Sequence, residues 1–98
     1  MNNPWQIRFT KSVNKQSSKL SKKAILILRL LFHELGCRGP SLPDWPHYGK
    51  LAGKKGIDKR HCHLQRGRPT YVCCWEVLDK KARIIEVYYA GTHENAPY

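Results

Sequence analysis

From Trp5 to Thr10 apolar and polar residues alternate, with Trp5, Ile7 and Phe9 on one side and Gln6, Arg8 and Thr10 on the other. That period of two predicts a half-buried strand. Thr10 or Ser12 is placed to cap a first helix through about Lys19, which its Ser and Asn content weakens. Over Lys19 to Leu35 the period becomes helical: Ala24, Leu28, Leu31 and Leu35 share one side, with Leu20 and Ile27 beside them. Ile25, Leu26, Leu30 and Phe32 widen the apolar arc beyond what one sheet face needs, so part of it is expected to cover the first helix or to receive a partner. Gly36 is expected to stop this helix. Arg38 to His47 is a Pro- and Gly-rich loop, RGPSLPDWPH. Tyr48-Gly-Lys-Leu-Ala-Gly and a basic turn, Lys54-Lys55-Gly56, follow it. Three strands are predicted next, Lys59 to Arg66, Pro69 to Asp79 and Ala82 to Ala90, with Gly67 in the first connection. Asp79-Lys80-Lys81 makes the second connection short, so the last two strands form a hairpin. The pattern predicts one α+β domain over residues 1–98, with two N-terminal helices packed on one face of a small, mostly antiparallel sheet in the order β-α-α-β-β-β.

Composition fits that architecture and adds a partner class. A chain of 98 residues buries roughly 60–70% of its unfolded surface, which leaves room for one sheet and two helices rather than a large substrate cavity. Hydrophobic content of 41% is ample for a core and argues against a disordered chain. Lys plus Arg number 18 against 7 Asp plus Glu, a formal charge of +11, and that density on so small a body favours a polyanion. The opening MNNPWQIRFT lacks a basic region followed by an apolar run. Ala24 to Leu35 is short and broken by Arg29, His33 and Glu34, so a cytoplasmic protein is expected. Cys37, Cys62, Cys73 and Cys74 are expected as reduced thiols, since Cys73 and Cys74 point to opposite faces of a strand. No metal is expected: His61 and His63 share a strand face from which Cys62 points away, so the three do not close one tetrahedron.

Three groups of residues carry candidate chemistry. In Arg60-His61-Cys62-His63-Leu64, two imidazoles about 7 Å apart on one strand face can grip a phosphodiester from two sides, although an exposed histidine pair is also common on ordinary strands. The ending Gly91-Thr92-His93-Glu94-Asn95-Ala96-Pro97-Tyr98 brings His93 just past an apolar strand, with Tyr98 able to fold back beside it. The third group is a basic lining of Lys50, Lys54, Lys55, Lys59, Arg60, Arg66 and Arg68, as phosphates require. Of the nearby aromatics Trp45, Tyr48, Tyr71, Trp75, Tyr88 and Tyr89, some could stack bases, while Trp75 is expected in the core. These parts fit RNA cleavage without metal or cofactor. A base removes the 2′-hydroxyl proton, the freed oxygen attacks phosphorus, cations stabilise the charge, and an acid protonates the departing 5′-oxygen. There is no dense acidic cluster for a two-metal nuclease and no phosphate-binding glycine loop.

The chain resembles the RelE/ParE superfamily of bacterial toxins from type II toxin–antitoxin systems. The resemblance rests on the element order, on Lys50-Leu51-Ala52-Gly53 before the His strand, on the hairpin YVCCWEVLDKKARIIEVYYAG and on the ending GTHENAPY. Within the superfamily it is most similar to the RelE and YafQ branch, which cuts mRNA in the ribosomal A site. The resemblance implies a RelE-like fold, no cofactor, mRNA and the ribosome as partners, and an acidic antitoxin that wraps the toxin. His61 and His63 stand where RelE has two functional lysines, and His63 aligns with a catalytic histidine of the YafQ branch. Gly91-Thr92-His93 aligns with that branch's ending, which implies His93 as general acid. RelE carries an arginine at the His93 position and a tyrosine further on that Tyr98 replaces. RelE's functional arginine in the next strand corresponds to Val72, so the phosphate charge falls to Arg60, Arg66, Arg68 or a lysine. The implied roles are His93 as acid, His63 as base or phosphate ligand, His61 as its partner, Arg68 or Arg66 as charge stabiliser, and Tyr98 orienting His93 or stacking on a base. Two other functions stay open at this point: a ParE-like gyrase poison without a nuclease site, and a non-catalytic RNA- or ribosome-binding module.

Overall fold

The computed structural model describes residues 4–65 and 67–98. Strand β1 (Gln6–Phe9) leads to helix α1 (Lys11–Ser17) and helix α2 (Lys22–Arg38), followed by β2 (Gly49–Lys50), β3 (Lys59–Gln65), β4 (Tyr71–Asp79), β5 (Ile84–Thr92) and a 3₁₀ turn, His93–Asn95. The five strands form one sheet in the order β1-β5-β4-β3-β2. β1 runs parallel to β5 and every other pair is antiparallel. A parallel pair requires a long crossover connection; here it runs through α1 and α2 on one face of the sheet and then through β2, β3 and β4.

Local chemistry explains the helix boundaries. The Thr10 hydroxyl caps α1 by accepting from the Val13 N–H at 3.3 Å, and Ser21 caps α2 by accepting from the Ala24 N–H at 3.2 Å. That second cap starts α2 at Lys22, three residues later than the periodicity placed it. Gly36 does not end α2. It lies inside the helix, and its carbonyl accepts from the Trp5 N–H at 2.8 Å, docking the chain entering β1. The stop is Gly39, at φ +88°, whose N–H returns to the Leu35 carbonyl, and Pro40 then bars another turn. A Cβ at Gly39 would lie 2.8 Å from the Trp5 indole nitrogen, so both backbone and space demand glycine there.

The core lies between the helices and the sheet. Val13, Ala24, Leu28, Leu31 and Leu35 meet Cys62, Leu64, Cys73, Trp75, Ile85, Val87 and Ala90. Trp75 is fully buried and its indole N–H donates to the Pro40 carbonyl at 3.3 Å. Leu26 and Leu30 remain 65% and 55% exposed, so the outer part of the α2 arc covers nothing within the described chain. The opposite sheet face carries a smaller apolar cluster of Val72, Cys74 and Tyr89, joined by Tyr88 and Ala96. A register shift between Cys74 and Trp75 opposite β5 sets Tyr88 and Tyr89 on that same side. Ala96 brings the tail after β5 back over this face. Cys62, Cys73 and Cys74 are buried and Cys37 is exposed, all as free thiols. Among the described residues, no helix is long and apolar enough to cross a membrane.

Candidate functional site

β3 alternates along its length: Arg60, Cys62 and Leu64 are buried on the helix side, while Lys59, His61, His63 and Gln65 face outward and are half-buried. The ring centroids of His61 and His63 are 6.4 Å apart. Pairing across the sheet sets Val72 and Gly91 beside His63, and Cys74 and Tyr89 beside His61, so the smaller apolar cluster is the floor beneath the imidazoles. Burial pushes the Cys74 thiol up to about 12, which leaves an inert floor residue rather than a nucleophile.

β5 delivers the other half. The His93 N–H donates to the Thr70 carbonyl at 2.8 Å, extending the β4–β5 pairing by one step. Gly91 makes this possible. The Tyr89 ring crosses it so closely that a Cβ at Gly91 would lie 2.8 Å from the phenol oxygen, and the Tyr89 hydroxyl donates to the Thr92 carbonyl at 2.6 Å. Beyond Thr92 the 3₁₀ turn swings the chain back. His93 then meets His63 edge-on at 5.3 Å, and Tyr98 rests 4.8 Å from His61 and 6.0 Å from His93.

A further histidine joins them. The His63 N–H donates to the Pro46 carbonyl at 2.8 Å, drawing the loop before β2 against β3. His47 follows in the left-handed region, at φ +53°, and stacks on His63 with centroids 4.2 Å apart. Non-glycine residues held at such angles cluster at functional sites. Nothing in the period of the chain marks His47; the only cue is a histidine in a Pro-rich loop.

Burial and neighbouring imidazoles disfavour the charged forms of His61 and His63. The His63 pKa is lowered by burial first, then by His47, His93 and His61. His61 is lowered by burial first, then by His93 and His47. Its Nδ1 is buried with no hydrogen-bond partner among the described residues, while its other ring nitrogen sits over Gly49. Burial also raises the Tyr98 phenol, which therefore stays neutral near pH 7. Neutral His61 and His63 offer proton acceptors at neutral pH.

An open cavity of about 830 Å³ lies beside the patch, lined by His63, Arg68, Thr70, Thr92, His93 and Glu94, among others. It is a surface basin, more room than the length alone leads one to expect. Arg68 is exposed, and its side chain has no hydrogen bond or ion pair among the described residues, so its charge is available to a ligand. Glu94, which sequence reasoning passed over, adds a carboxylate to the same wall.

The structure thus brings His61, His63, His93, Tyr98 and Arg68 together and separates the other basic residues from them. Arg60 lies on the wrong face for a phosphate contact. It is buried, bidentate to Asp58 at 2.9 and 2.8 Å, and its guanidinium also donates to the Tyr48 hydroxyl at 3.0 Å. Lys50 and Lys59 line a different cavity, with Ile57, Asp58 and Lys80, and the Lys59 ammonium sits 5.0 Å over the Tyr88 ring. Lys54 and Lys55 are exposed in the loop between β2 and β3. Arg66 lies outside the described residues.

With two helices on one face of a five-stranded mixed sheet, the molecule has a RelE-like fold. A solved structure with this fold is the archaeal RelE–RelB complex from Pyrococcus horikoshii OT3, a chain of which matches with a TM-score of 0.75 at 17% identity, over 96% of this chain and 100% of that one. No protein-family model matches the sequence, and no curated protein matches it. At that identity the likeness is one of fold, and chemistry has to be argued from this chain's own side chains.

Proposed function

We propose that this protein is the toxin of a type II toxin–antitoxin pair and acts as a metal-independent endoribonuclease on mRNA in the ribosomal A site. One observation carries the nuclease reading: His63 on β3 and His93 at the turn after β5 meet at 5.3 Å beside a cavity that Arg68 also lines. In this reading the scissile phosphate occupies that cavity. His63, kept neutral by burial and by neighbouring imidazoles, takes the 2′-hydroxyl proton. His93, exposed at the turn, gives a proton to the departing 5′-oxygen. Arg68 balances the charge on the non-bridging oxygens, the task that the arginine replaced by Val72 has in RelE. His47 stacks on the His63 ring and orients it, His61 lies 6.4 Å further along the same strand face, and Tyr98 closes over His61.

The partner reading rests on the fold and on the surface. The solved relative is a RelE–RelB complex. Leu26 and Leu30 are exposed on α2, and Phe9 is exposed on β1, where it packs edge-on against Phe32. With a net charge of +11, these apolar residues suit an acidic, partly apolar antitoxin chain.

Primer extension on a translated message after induction tests the proposal. The expected result is cuts within codons that vanish in His93→Ala and in His63→Ala, each losing about 10²–10⁴-fold in cleavage rate. Intact mRNA with accumulating gyrase–DNA cleavage complexes, and toxicity that survives both substitutions, would sink it.

A further inference from the structure

The sheet edge next to the histidine cavity is unfinished. β1 pairs with β5 only from Ile84 to Val87, so among the described residues no strand lies beside Tyr88 to Thr92 on that edge. α1 lies against it instead, and the Gln16 side-chain carbonyl accepts from the Ala90 N–H at 3.1 Å, in place of a neighbouring strand. Between α1 and this edge opens a second cavity of about 320 Å³. Leu20, Tyr71 and Tyr89 form its apolar walls, Gln16 and Asn95 bring carboxamides, and Lys19 brings an ammonium. Thr92 lines this cavity and the histidine cavity alike.

We infer that this second cavity is a nucleobase subsite, which receives the base of the nucleotide next to the cleaved bond and sets base preference there. The inference rests on the ribonuclease reading, because the shared Thr92 wall is what joins the base to the reacting phosphate. Its chemistry matches a base part by part. The flat apolar faces of a base need aromatic and aliphatic walls, and its polar edge needs groups that donate and accept in one plane, which carboxamides supply. Gln16 has given its carbonyl to Ala90, so its NH₂ remains to donate, and the favoured base must present an acceptor there. Asn95, exposed on the turn, offers both roles. Lys19 is exposed at the same place and can meet the phosphate attached to that nucleotide. The volume lies at the low end for small-molecule sites, about 300 Å³, which suits one base and excludes a second.

Titration with the four nucleoside 5′-monophosphates, followed by amide NMR, tests this directly, with ribose 5-phosphate as the probe that lacks a base. The expected result is saturable shifts of the Gln16 and Asn95 side-chain amides and the Thr92 backbone amide. One base should be preferred, and its binding should weaken about tenfold in Asn95→Ala, as loss of a stacking or edge contact does. Absence of shifts at these groups, equal shifts with ribose 5-phosphate, or binding indifferent to Asn95→Ala and Lys19→Ala overturns the subsite. Mapping of cut sites separates this failure from failure of the nuclease reading. Asn95→Ala should still cut, with the base bias beside the cut flattened; continued cutting with an unchanged bias overturns the subsite alone. If the wild-type protein does not cut RNA, the nuclease reading falls, and the titration still decides whether the cavity binds a base.

Discussion

Crowding four imidazoles makes the histidine patch a proton-sensitive point of the fold. His61 and His63 both titrate below their ordinary value of 6.5, so at pH values near and just below 6.5 the unfolded chain binds more protons than the folded one. Stability then rises with pH in this window. In the other direction it falls as pH drops below 6.5 and levels off once both folded-state values are passed. Urea denaturation between neutral pH and about pH 5 should show this loss, and the double variant His61→Gln/His63→Gln should flatten it. A wild-type stability that rises on acidification contradicts the assignment. The Asp58 carboxyl, held low chiefly by its hydrogen bonds to Arg60, acts in a separate window: its contribution is complete above 3.8 and is lost as pH falls through its lower folded value. His61 also offers a test of cost against role. Its Nδ1 is buried without a partner among the described residues, a condition that costs about 1–3 kcal/mol. His61→Leu should therefore leave the melting temperature unchanged or higher, while RNA cleavage drops because His63 loses a neighbour. A large fall in stability would show that the imidazole is satisfied after all.

β5 and the turn after it are the element on which the site depends. Tyr89 can donate to Thr92 only because Gly91 lets its ring pass, and that bond holds the segment from which His93 projects. Gly91→Ala should displace the ring, cost about 1–3 kcal/mol as overpacking does, and lower cleavage further than lost stability accounts for. Thermal melts read beside cleavage rates separate the two effects. Much of this level is legible in the chain. The alternation along β3 sorts His61 and His63 from Cys62 and Leu64, since a strand has only two faces. The end of α2 is less legible, because Gly36 and Gly39 look alike in sequence; only the docking of Trp5 on Gly36 and the left-handed backbone at Gly39 distinguish them. His47 is not legible at all. Its stacking on His63 depends on the bond from the His63 N–H to the Pro46 carbonyl, a contact between distant parts of the chain that no local period encodes. Arg60 misleads for the opposite reason. It reads as one more basic residue, yet strand parity turns it inward and Asp58, two residues earlier, neutralises it there.

Across the whole molecule, the sheet divides the labour. One face is sealed by α1 and α2, and the other carries the histidine patch over a thin apolar floor. Much of the acid on the chain is engaged locally: Glu34 and Asp44 hold Arg38, and Asp58 holds Arg60. The remaining surface keeps a strong positive excess, from a total of +11. Attraction of RNA and its cleavage should therefore be separable. Lys50, Lys54 and Lys55 are exposed and outside the histidine cavity. If they contact phosphates, the logarithm of RNA affinity should fall with the logarithm of salt, with a slope of about −0.7 per phosphate engaged. Replacing all three by Ala should make that slope shallower by about two units and leave cutting at saturating RNA intact, whereas His93→Ala should keep the slope and stop the cutting. Arg60→Ala should do neither. It leaves Asp58 without its partner, with an expected loss of about 3 kcal/mol in stability, while the salt slope measured on the folded fraction stays unchanged. A slope that responds to Arg60 but not to the three lysines would mean that RNA reaches the helix side of the sheet, contrary to the arrangement of faces described above.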